Sequence, residues 1–334
     1  MSADSQPSTA AAPGPRRTPF PRPGVIVPAI TPLLPDGSPD LPSLERLLDF
    51  GIAAGLDGFL LLGSSGENIG LSADDRFAVA GHAIEHARGR THLMIGLPIW
   101  GTKDQRLEAV RMDSLRPDSL LVPAPAGFGL SQPELGRHFG LIAEAVSAPL
   151  LAYEVPGRVG VSLSADLLAD LGGAGVLAGV KDSSGDINKA RHISESTRDI
   201  PGFVRYTGSE ECIDACLLGG FDGAVPGLAN VFPRFHVALN HCAREGDWAG
   251  ASRVQGLILR LFDLYFHPIP GGSFGAQFFA IVKQALVELG VIEHATASVP
   301  LTPGDQAVRD HVRRMLALGD DLADQLEPVG TAAS

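Results

Sequence analysis

The fold is most constrained by a regular alternation of short apolar runs with longer amphipathic stretches, which begins at Val25. Eight apolar runs follow one another, and the interval between most of their starts is typical of one βα unit. They are Val25–Thr31, Gly58–Gly63, His92–Pro98, Ser119–Pro125, Pro149–Val155, Val176–Lys181, Val204–Gly208 and Gly223–Val225. Strands that alternate with helices at this spacing form parallel sheets, because each helix crosses over between two strands. Eight such units predict an α/β fold, a closed (β/α)8 TIM barrel.

Helix signals fill the intervals between the runs. Ser72 and Ser164 each precede an acidic residue and an apolar-periodic stretch, as N-cap residues do. After the eighth run the pattern is helical, which predicts a C-terminal helical extension. We therefore expect a barrel over residues 24–230 and a helical region over 231–330 that packs on it. Residues 1–23 are rich in Ala, Pro and Ser, which predicts a disordered tail.

Charge and hydropathy argue against several classes of partner. The 334 residues carry a formal net charge of −12 without a marked run of Lys or Arg, so neither nucleic acid nor an anionic membrane is expected. No uninterrupted apolar stretch of transmembrane length occurs. The three cysteines lack the spacing of a disulfide framework, which favours a reducing compartment, the cytoplasm. The expected partners are small molecules and further copies of the chain.

Cys212 and Cys216 are the one pair with the spacing of metal ligands. They lie one helical turn apart, as two ligands on one helical face would, and His241 and Cys242 follow. The same segment also has the pattern of an ordinary helix that buries its cysteines as core residues. We favour that interpretation and expect no metal.

Lys181 ends a buried apolar run, an unusual position for an ammonium group. A lysine held in a dry pocket loses part of its preference for the charged form and becomes a nucleophile, as in a Schiff-base enzyme. Tyr153 lies one βα unit earlier in the chain, so the two side chains are expected on neighbouring strands. A phenol beside an amine can move the protons of carbinolamine formation. Taken singly, a salt-bridged lysine and a core tyrosine remain open alternatives.

Two further segments suggest binding of carboxylates. Gly63-Ser64-Ser65-Gly66 is typical of a turn whose backbone N–H groups face an anion, although this sequence is also common in turns without a ligand. Arg158 offers a planar guanidinium for a second carboxylate. Both segments directly follow apolar runs, where the active sites of such barrels lie.

Three segments together resemble the dihydrodipicolinate synthase and N-acetylneuraminate lyase superfamily of pyruvate-dependent class I aldolases. The resemblance covers roughly residues 24–301. Gly63-Ser64-Ser65-Gly66-Glu67 is similar to the family's Gly-(Ser/Thr)-Thr-Gly-Glu motif, Tyr153-Glu154-Val155-Pro156-Gly157-Arg158 to its Tyr-Asn-(Val/Ile)-Pro-x-Arg, and Gly179-Val180-Lys181-Asp182 to its Gly-(Ile/Val)-Lys-(Glu/Asp). The order and the spacing of all three agree.

The resemblance implies that Lys181 forms a Schiff base with C2 of pyruvate or another 2-oxo acid and that Tyr153 is the proton shuttle. The Ser64 hydroxyl would link Tyr153 to a proton relay, and the turn that begins at Gly63 would hold the 1-carboxylate through the amides of Ser64 and Ser65. No cofactor is then needed, and a homotetramer built from two dimers is implied. Residues at the end of the seventh run would contact substrate hydroxyls, although Ser209 also has the position of a helix N-cap. These residues are Gly208, Ser209 and Glu210.

The chain departs from the synthase pattern after the fourth run. Synthases carry a Tyr-Tyr pair there, whereas the segment Pro125-Ala126-Gly127-Phe128-Gly129 has no phenol. We therefore expect a Schiff-base lyase, an aldolase or dehydratase that acts on pyruvate or a 2-keto-3-deoxy sugar acid, with an aldehyde as the possible second substrate. Arg158 favours one alternative, the synthase reaction of pyruvate with aspartate semialdehyde. The other alternative is a non-catalytic protein that binds 2-oxo acids.

Overall fold

Eight parallel strands form a closed barrel in which each strand pairs with the next along the chain and the eighth pairs with the first. The computed structural model describes residues 23–326. The predicted tail, apart from Pro23, and residues 327–330 of the predicted helical region lie outside this range. The strands are β1 (Gly24–Pro28), β2 (Gly58–Leu61), β3 (His92–Gly96), β4 (Ser119–Pro123), β5 (Leu150–Glu154), β6 (Gly179–Asp182), β7 (Val204–Thr207) and β8 (Gly223–Ala224).

Every strand overlaps the apolar run predicted for it, so the TIM-barrel prediction is confirmed. Most runs extend past the C-terminal end of the strand. The reason is burial: Ala29 and Ile30 after β1, and Leu62 after β2, are as buried as the strands themselves. The length of an apolar run therefore reflects how far the buried region extends. The strand itself ends earlier, where its backbone hydrogen bonds to the neighbouring strands end.

Helices surround the barrel and begin at the predicted caps. The Ser72 side chain accepts a hydrogen bond from the Asp75 amide, and the Ser164 side chain accepts one from the Leu167 amide. Such bonds satisfy N–H groups that the first turn of a helix leaves unpaired. The helices are α1 (Leu41–Ala53), α2 (Ala73–Ala87), α3 (Thr102–Asp113), α4 (Gln132–Ala143), α5 (Pro156–Val159), α6 (Ala165–Gly173), α7 (Ile187–Thr197), α8 (Ile213–Leu218), α9 (Pro233–Arg244), α10 (Trp248–Leu261), α11 (Phe274–Glu288) and α12 (Gln306–Ala323).

In the C-terminal region α9 contacts β1 and α11 contacts the turn that follows β8. This region is less completely helical than its sequence pattern suggests. Residues 266–273 and 289–305 are irregular because prolines and glycines interrupt both stretches. In residues 23–326 we find no helix whose length and apolar character would let it cross a membrane.

Candidate active site

The predicted pair of Lys181 and Tyr153 meets at the C-terminal mouth of the barrel. The two residues are register partners on β6 and β5, and the Lys181 Nζ atom lies 4.5 Å from the centroid of the Tyr153 ring. Both side chains are buried, with 5% and 7% of their surface exposed. Register partners on parallel strands project from the same side of a sheet, so this contact follows directly from their separation by one βα unit.

The Tyr153 hydroxyl interacts by side-chain hydrogen bonding with two serines, Ser64 and Ser183. Burial acts to raise the pKa of Tyr153, but the nearby Lys181 ammonium, the two serines and the charge of Arg158 outweigh it. The net result is a pKa below the usual value of 10.0. A phenol with a lowered pKa gives up its proton more readily, so it can both donate a proton and, as the phenolate, take one back near neutral pH.

Ser183 is a site residue that our sequence reasoning missed. It is the second residue after Lys181, and strand alternation places both side chains on the same side of the sheet. That period of two is the signal that would have identified it. A Cβ atom at Gly208 would lie 2.1 Å from Ser183 Oγ and 3.3 Å from Lys181 Cε. Gly208 therefore provides the space that both side chains occupy.

The segment from Gly63 to Glu67 forms two overlapping turns. The Gly66 amide donates to the Gly63 carbonyl at 3.0 Å, and the Glu67 amide donates to the Ser64 carbonyl at 3.3 Å. Within residues 23–326 the amides of Ser64 and Ser65 have no acceptor, so both remain available to an anion. The hydroxyl of Ser64 contacts Tyr153, which brings the predicted carboxylate site beside the lysine.

Arg158 lies on α5, the short helix directly after β5. Its side chain is exposed, and its charge lowers the pKa of Tyr153, so it lies at the rim of the mouth. Glu154, which replaces the asparagine of the resembled motif, is 1% exposed and faces the helices. Its carboxylate accepts a hydrogen bond from the Leu163 amide at 2.8 Å and forms an ion pair with Lys189. This departure from the motif therefore lies outside the mouth.

Glu210 lies where the ends of β7 and β8 meet. Its carboxylate accepts hydrogen bonds from the amides of Leu228, at 2.8 Å, and Gly227. Burial raises the pKa of Glu210 to about 7, although the nearby Lys181 acts to lower it. The Tyr265 hydroxyl lies beside the same carboxyl, and its own pKa is raised by burial. The mouth thus contains a carboxyl that titrates near neutral pH.

Ser209 does not act as the helix cap that was the alternative to a binding role. Its side chain makes no capping hydrogen bond to the short 3₁₀ turn Glu210–Cys212, and its amide donates to Thr207 Oγ1 at 3.1 Å. The Ser209 hydroxyl is therefore not needed to start a helix.

The loop after β4 supplies no phenol to the mouth. Gly127 and Gly129 have positive φ angles of 89° and 59°, and Phe128 between them is 74% exposed. Besides Tyr153 the chain has two tyrosines: Tyr206 is fully buried on β7, and Tyr265 lies against Glu210. A second relay tyrosine beside Tyr153 is therefore absent from the described part of the mouth. Residues 23–326 also contain no cluster of three or more His, Cys, Asp or Glu that could hold a metal ion.

A closed parallel barrel with a buried lysine against a tyrosine at its C-terminal mouth defines a Schiff-base lyase of the class I aldolase type. The model of the dihydrodipicolinate synthetase family matches residues 22–318, and the chain belongs to this family. The enzyme class that the sequence predicted is thereby confirmed.

Named relatives agree with this assignment. The chain is 32% identical over 292 residues to a 4-hydroxy-tetrahydrodipicolinate synthase of Azoarcus sp. (strain BH72), a match that covers 86% of this chain and 95% of the relative. YagE, a prophage protein of the dihydrodipicolinic acid synthase family from E. coli K12 whose structure contains pyruvate, superposes with a TM-score of 0.82 and 27% identity. That match covers 89% of this chain and 98% of the other. A Ruminococcus gnavus sialic acid aldolase has the same fold, with a TM-score of 0.83 at 20% identity over 91% and 98% of the two chains.

Proposed function

We propose that this protein cleaves, forms or dehydrates a 2-oxo acid through a Schiff base on Lys181. The substrate is pyruvate or a longer 2-oxo acid such as a 2-keto-3-deoxy sugar acid. The observation that carries the proposal is the contact of the Lys181 Nζ atom with the Tyr153 ring, with the tyrosine hydroxyl hydrogen-bonded to Ser64 and Ser183. Of the four lysines in the chain, Lys181 is the one that lies in this surrounding.

The chemistry requires proton transfers that this arrangement suits. The neutral amine of Lys181 attacks C2 of the 2-oxo acid, the carbonyl oxygen leaves as water, and a protonated imine remains. The departing oxygen needs two protons: Tyr153 passes one to it from the lysine nitrogen and gives the second from its own hydroxyl, which a proton from solvent then restores. The imine then withdraws electrons from C3, so that the bond from C3 to C4 forms or breaks, or a hydroxyl at C4 leaves. The amides of Ser64 and Ser65 bind the 1-carboxylate.

Ser183 replaces the missing tyrosine in the relay. Because Ser64 and Ser183 both hydrogen-bond to Tyr153, the phenol has two hydroxyl neighbours from its own chain. A proton accepted by Tyr153 can therefore pass to the mouth without a side chain from another subunit. The polar groups of Ser209 and Glu210 face the distal part of the substrate.

The reaction of pyruvate with aspartate semialdehyde is the second candidate. Exposed Arg158 at the rim favours it, as does the similarity to named 4-hydroxy-tetrahydrodipicolinate synthases. The loop Pro125–Gly129, which has no phenol, favours the sugar-acid reaction instead. Steady-state rates with aspartate semialdehyde and with a panel of 2-keto-3-deoxy sugar acids distinguish the two. Turnover of the semialdehyde well above all sugar acids would overturn our preference.

Exchange of the methyl protons of pyruvate in D₂O tests whether the protein catalyses any reaction of pyruvate. An enzyme that forms an enamine exchanges them, whereas a protein that only binds 2-oxo acids does not. We expect exchange that Lys181→Ala abolishes and that Lys103→Ala, a change at an exposed lysine, leaves unaltered. Reversible pyruvate binding without exchange would support the binding protein.

We also propose a homotetramer, a dimer of dimers, in the cytoplasm. Two separate groups of exposed apolar side chains fit two kinds of interface. The first group, on α3 and α4, consists of Leu107, Val110 and Leu141. The second group, on α7 and α8, consists of Ile187 and Leu218. Free thiols at all three cysteines suit a reducing compartment. Sedimentation of the wild type and of the variants Leu107→Glu and Leu218→Glu tests this assembly. We expect four chains in the wild-type particle and two chains in either variant. A monomeric wild type would contradict the proposal.

A further inference from the structure

The turn that carries the proposed carboxylate site is attached to the C-terminal helical region by a buried ion pair. Lys283 of α11 lies 2.5 Å from the carboxylate of Glu67, the last residue of the turn, and the Ser298 amide donates to the same carboxylate at 2.6 Å. The side chains of Lys283 and Glu67 are 0% and 1% exposed. Lys283 also donates to the Thr296 carbonyl at 2.6 Å.

Stability alone is a weak explanation for such a pair. Two charges are costly to remove from water, and well-packed apolar side chains commonly give equal or greater stability. Glu67 is moreover held at a φ angle of 53°, a conformation that residues other than glycine adopt at an energetic cost. Lys283 and Ser298 both come from a distant part of the chain, and together they hold Glu67 in this conformation.

The position of Glu67 determines the position of the two free amides. Its own amide donates to the Ser64 carbonyl, which shares a peptide group with the Ser65 amide, and the neighbouring Gly66 amide donates to the Gly63 carbonyl, which shares one with the Ser64 amide. A shift of Glu67 and Gly66 therefore shifts both free amides. Arg76 holds the residues that follow Glu67 through the carbonyls of Asn68, at 3.2 Å, and Leu71, at 2.6 Å. The C-terminal end of the turn is thus held by two elements, and one of them is a helix outside the eight βα units.

We propose that Lys283 is a positioning residue for the carboxylate of the substrate. Through Glu67 it holds the turn so that the amides of Ser64 and Ser65 face the acid group while the carbonyl carbon lies beside Lys181. The inference rests on the function proposed above and deepens it, because it assigns part of the substrate recognition to the C-terminal helical region.

The test is the dependence of imine trapping on substrate concentration, which needs no second substrate. Borohydride reduces the imine with pyruvate and also the imine with methyl pyruvate, an ester without the negative charge. In Lys283→Met we expect the half-saturating pyruvate concentration to rise about tenfold or more, because a small displacement of a binding group costs factors of this size. The value for methyl pyruvate should change little. A structural role alone would not separate the two ligands.

Lys189→Met is the matched control, since it breaks the buried ion pair with Glu154 on the helix-facing side of the sheet. It should lower the melting temperature without changing half-saturation for either ligand. If Lys283→Met does not fold, the variant Glu67→Gln/Lys283→Met, which leaves no uncompensated charge, is measured in its place, with the same expectation.

If a folded Lys283 variant has the same half-saturating pyruvate concentration as the wild type, and the wild type forms the trapped imine normally, this inference alone is overturned. Equal shifts for pyruvate and methyl pyruvate would also overturn it. No trapping in the wild type would overturn the proposed function, and this inference with it.

Discussion

Lys181 and Tyr153 face one another across neighbouring strands, with 4.5 Å between the ammonium nitrogen and the centre of the phenol ring. At this distance the charge of Lys181 acts to lower the pKa of Tyr153. Both side chains are largely buried. The predictions on catalysis depend on this pair or on the side chains that hold it in place.

Tyr153→Phe removes the hydroxyl and keeps the ring that packs on Lys181. We expect the rate of imine formation to fall by about a hundred- to ten-thousand-fold, as for other general acid–base groups, with the protein still folded. Stopped-flow trapping with borohydride measures the rate. Tyr206→Phe, which alters the buried tyrosine paired with Lys181 on its other neighbouring strand, is the control and should keep the rate within a few-fold. Equal losses in both variants would contradict the role of Tyr153.

Ser183→Ala tests the second hydroxyl of the relay. Loss of one hydrogen bond to the phenol should lower kcat about tenfold, a factor that corresponds to one such bond near a charged group. Ser64→Ala should have a similar effect, and the double variant should fall by less than the product of the two, because both serines act through Tyr153. Ser184→Ala, at the next position along the loop, is the control. Full activity of Ser183→Ala would remove that residue from the relay.

Gly208→Ala tests whether this position provides space or contacts substrate. The added Cβ would lie 2.1 Å from Ser183 Oγ, so the serine must move away from Tyr153. Activity should therefore fall at least as far as in Ser183→Ala. Gly157→Ala is the matched control, because that glycine lies near Arg158 and has no atom within 4 Å of the added carbon. An active Gly208→Ala enzyme would show that the loop relaxes.

The sequence predicted the scaffold and the reacting pair well, for a physical reason. Burial of every strand of a parallel barrel leaves apolar runs at regular intervals, and a separation of one βα unit then places Tyr153 opposite Lys181. Ser183 could also have been found, since strand alternation points it to the same side as Lys181. The alternation of side chains along β6, continued two residues past Lys181, identifies Ser183.

Other features of the site depend on contacts between distant parts of the chain. Nothing in the local sequence links Glu67 to Lys283, because the two lie in distant parts of the chain and only the packing of α11 brings them together. Glu154 lies within a motif segment, yet its side chain faces the helices and pairs with Lys189, which the motif alone does not indicate. The surroundings of Glu210 depend on Tyr265, from a turn before α11, and on amides after β8.

Glu210 should make stability depend on pH in the direction opposite to that of a salt-bridged acid. Its pKa is raised from 4.5 to about 7 by burial, so between these values the folded state keeps a proton that the unfolded state has released. The free energy of unfolding therefore falls as the pH rises from about 4.5 to about 7. Glu210→Gln should flatten this dependence, measured by urea denaturation at several pH values. Glu245→Gln, at an exposed glutamate, should not, and the same slope in wild type and Glu210→Gln would contradict the assignment.

The most direct test of the central claim is the intact mass of the protein after borohydride reduction with pyruvate, followed by peptide mapping. The chain has only four lysines, Lys103, Lys181, Lys189 and Lys283, so the position of an adduct is unambiguous. We predict one pyruvate-sized addition per chain on Lys181, absent from Lys181→Ala. An adduct on another lysine, or none with pyruvate and longer 2-oxo acids, would contradict the Schiff-base mechanism proposed for this barrel.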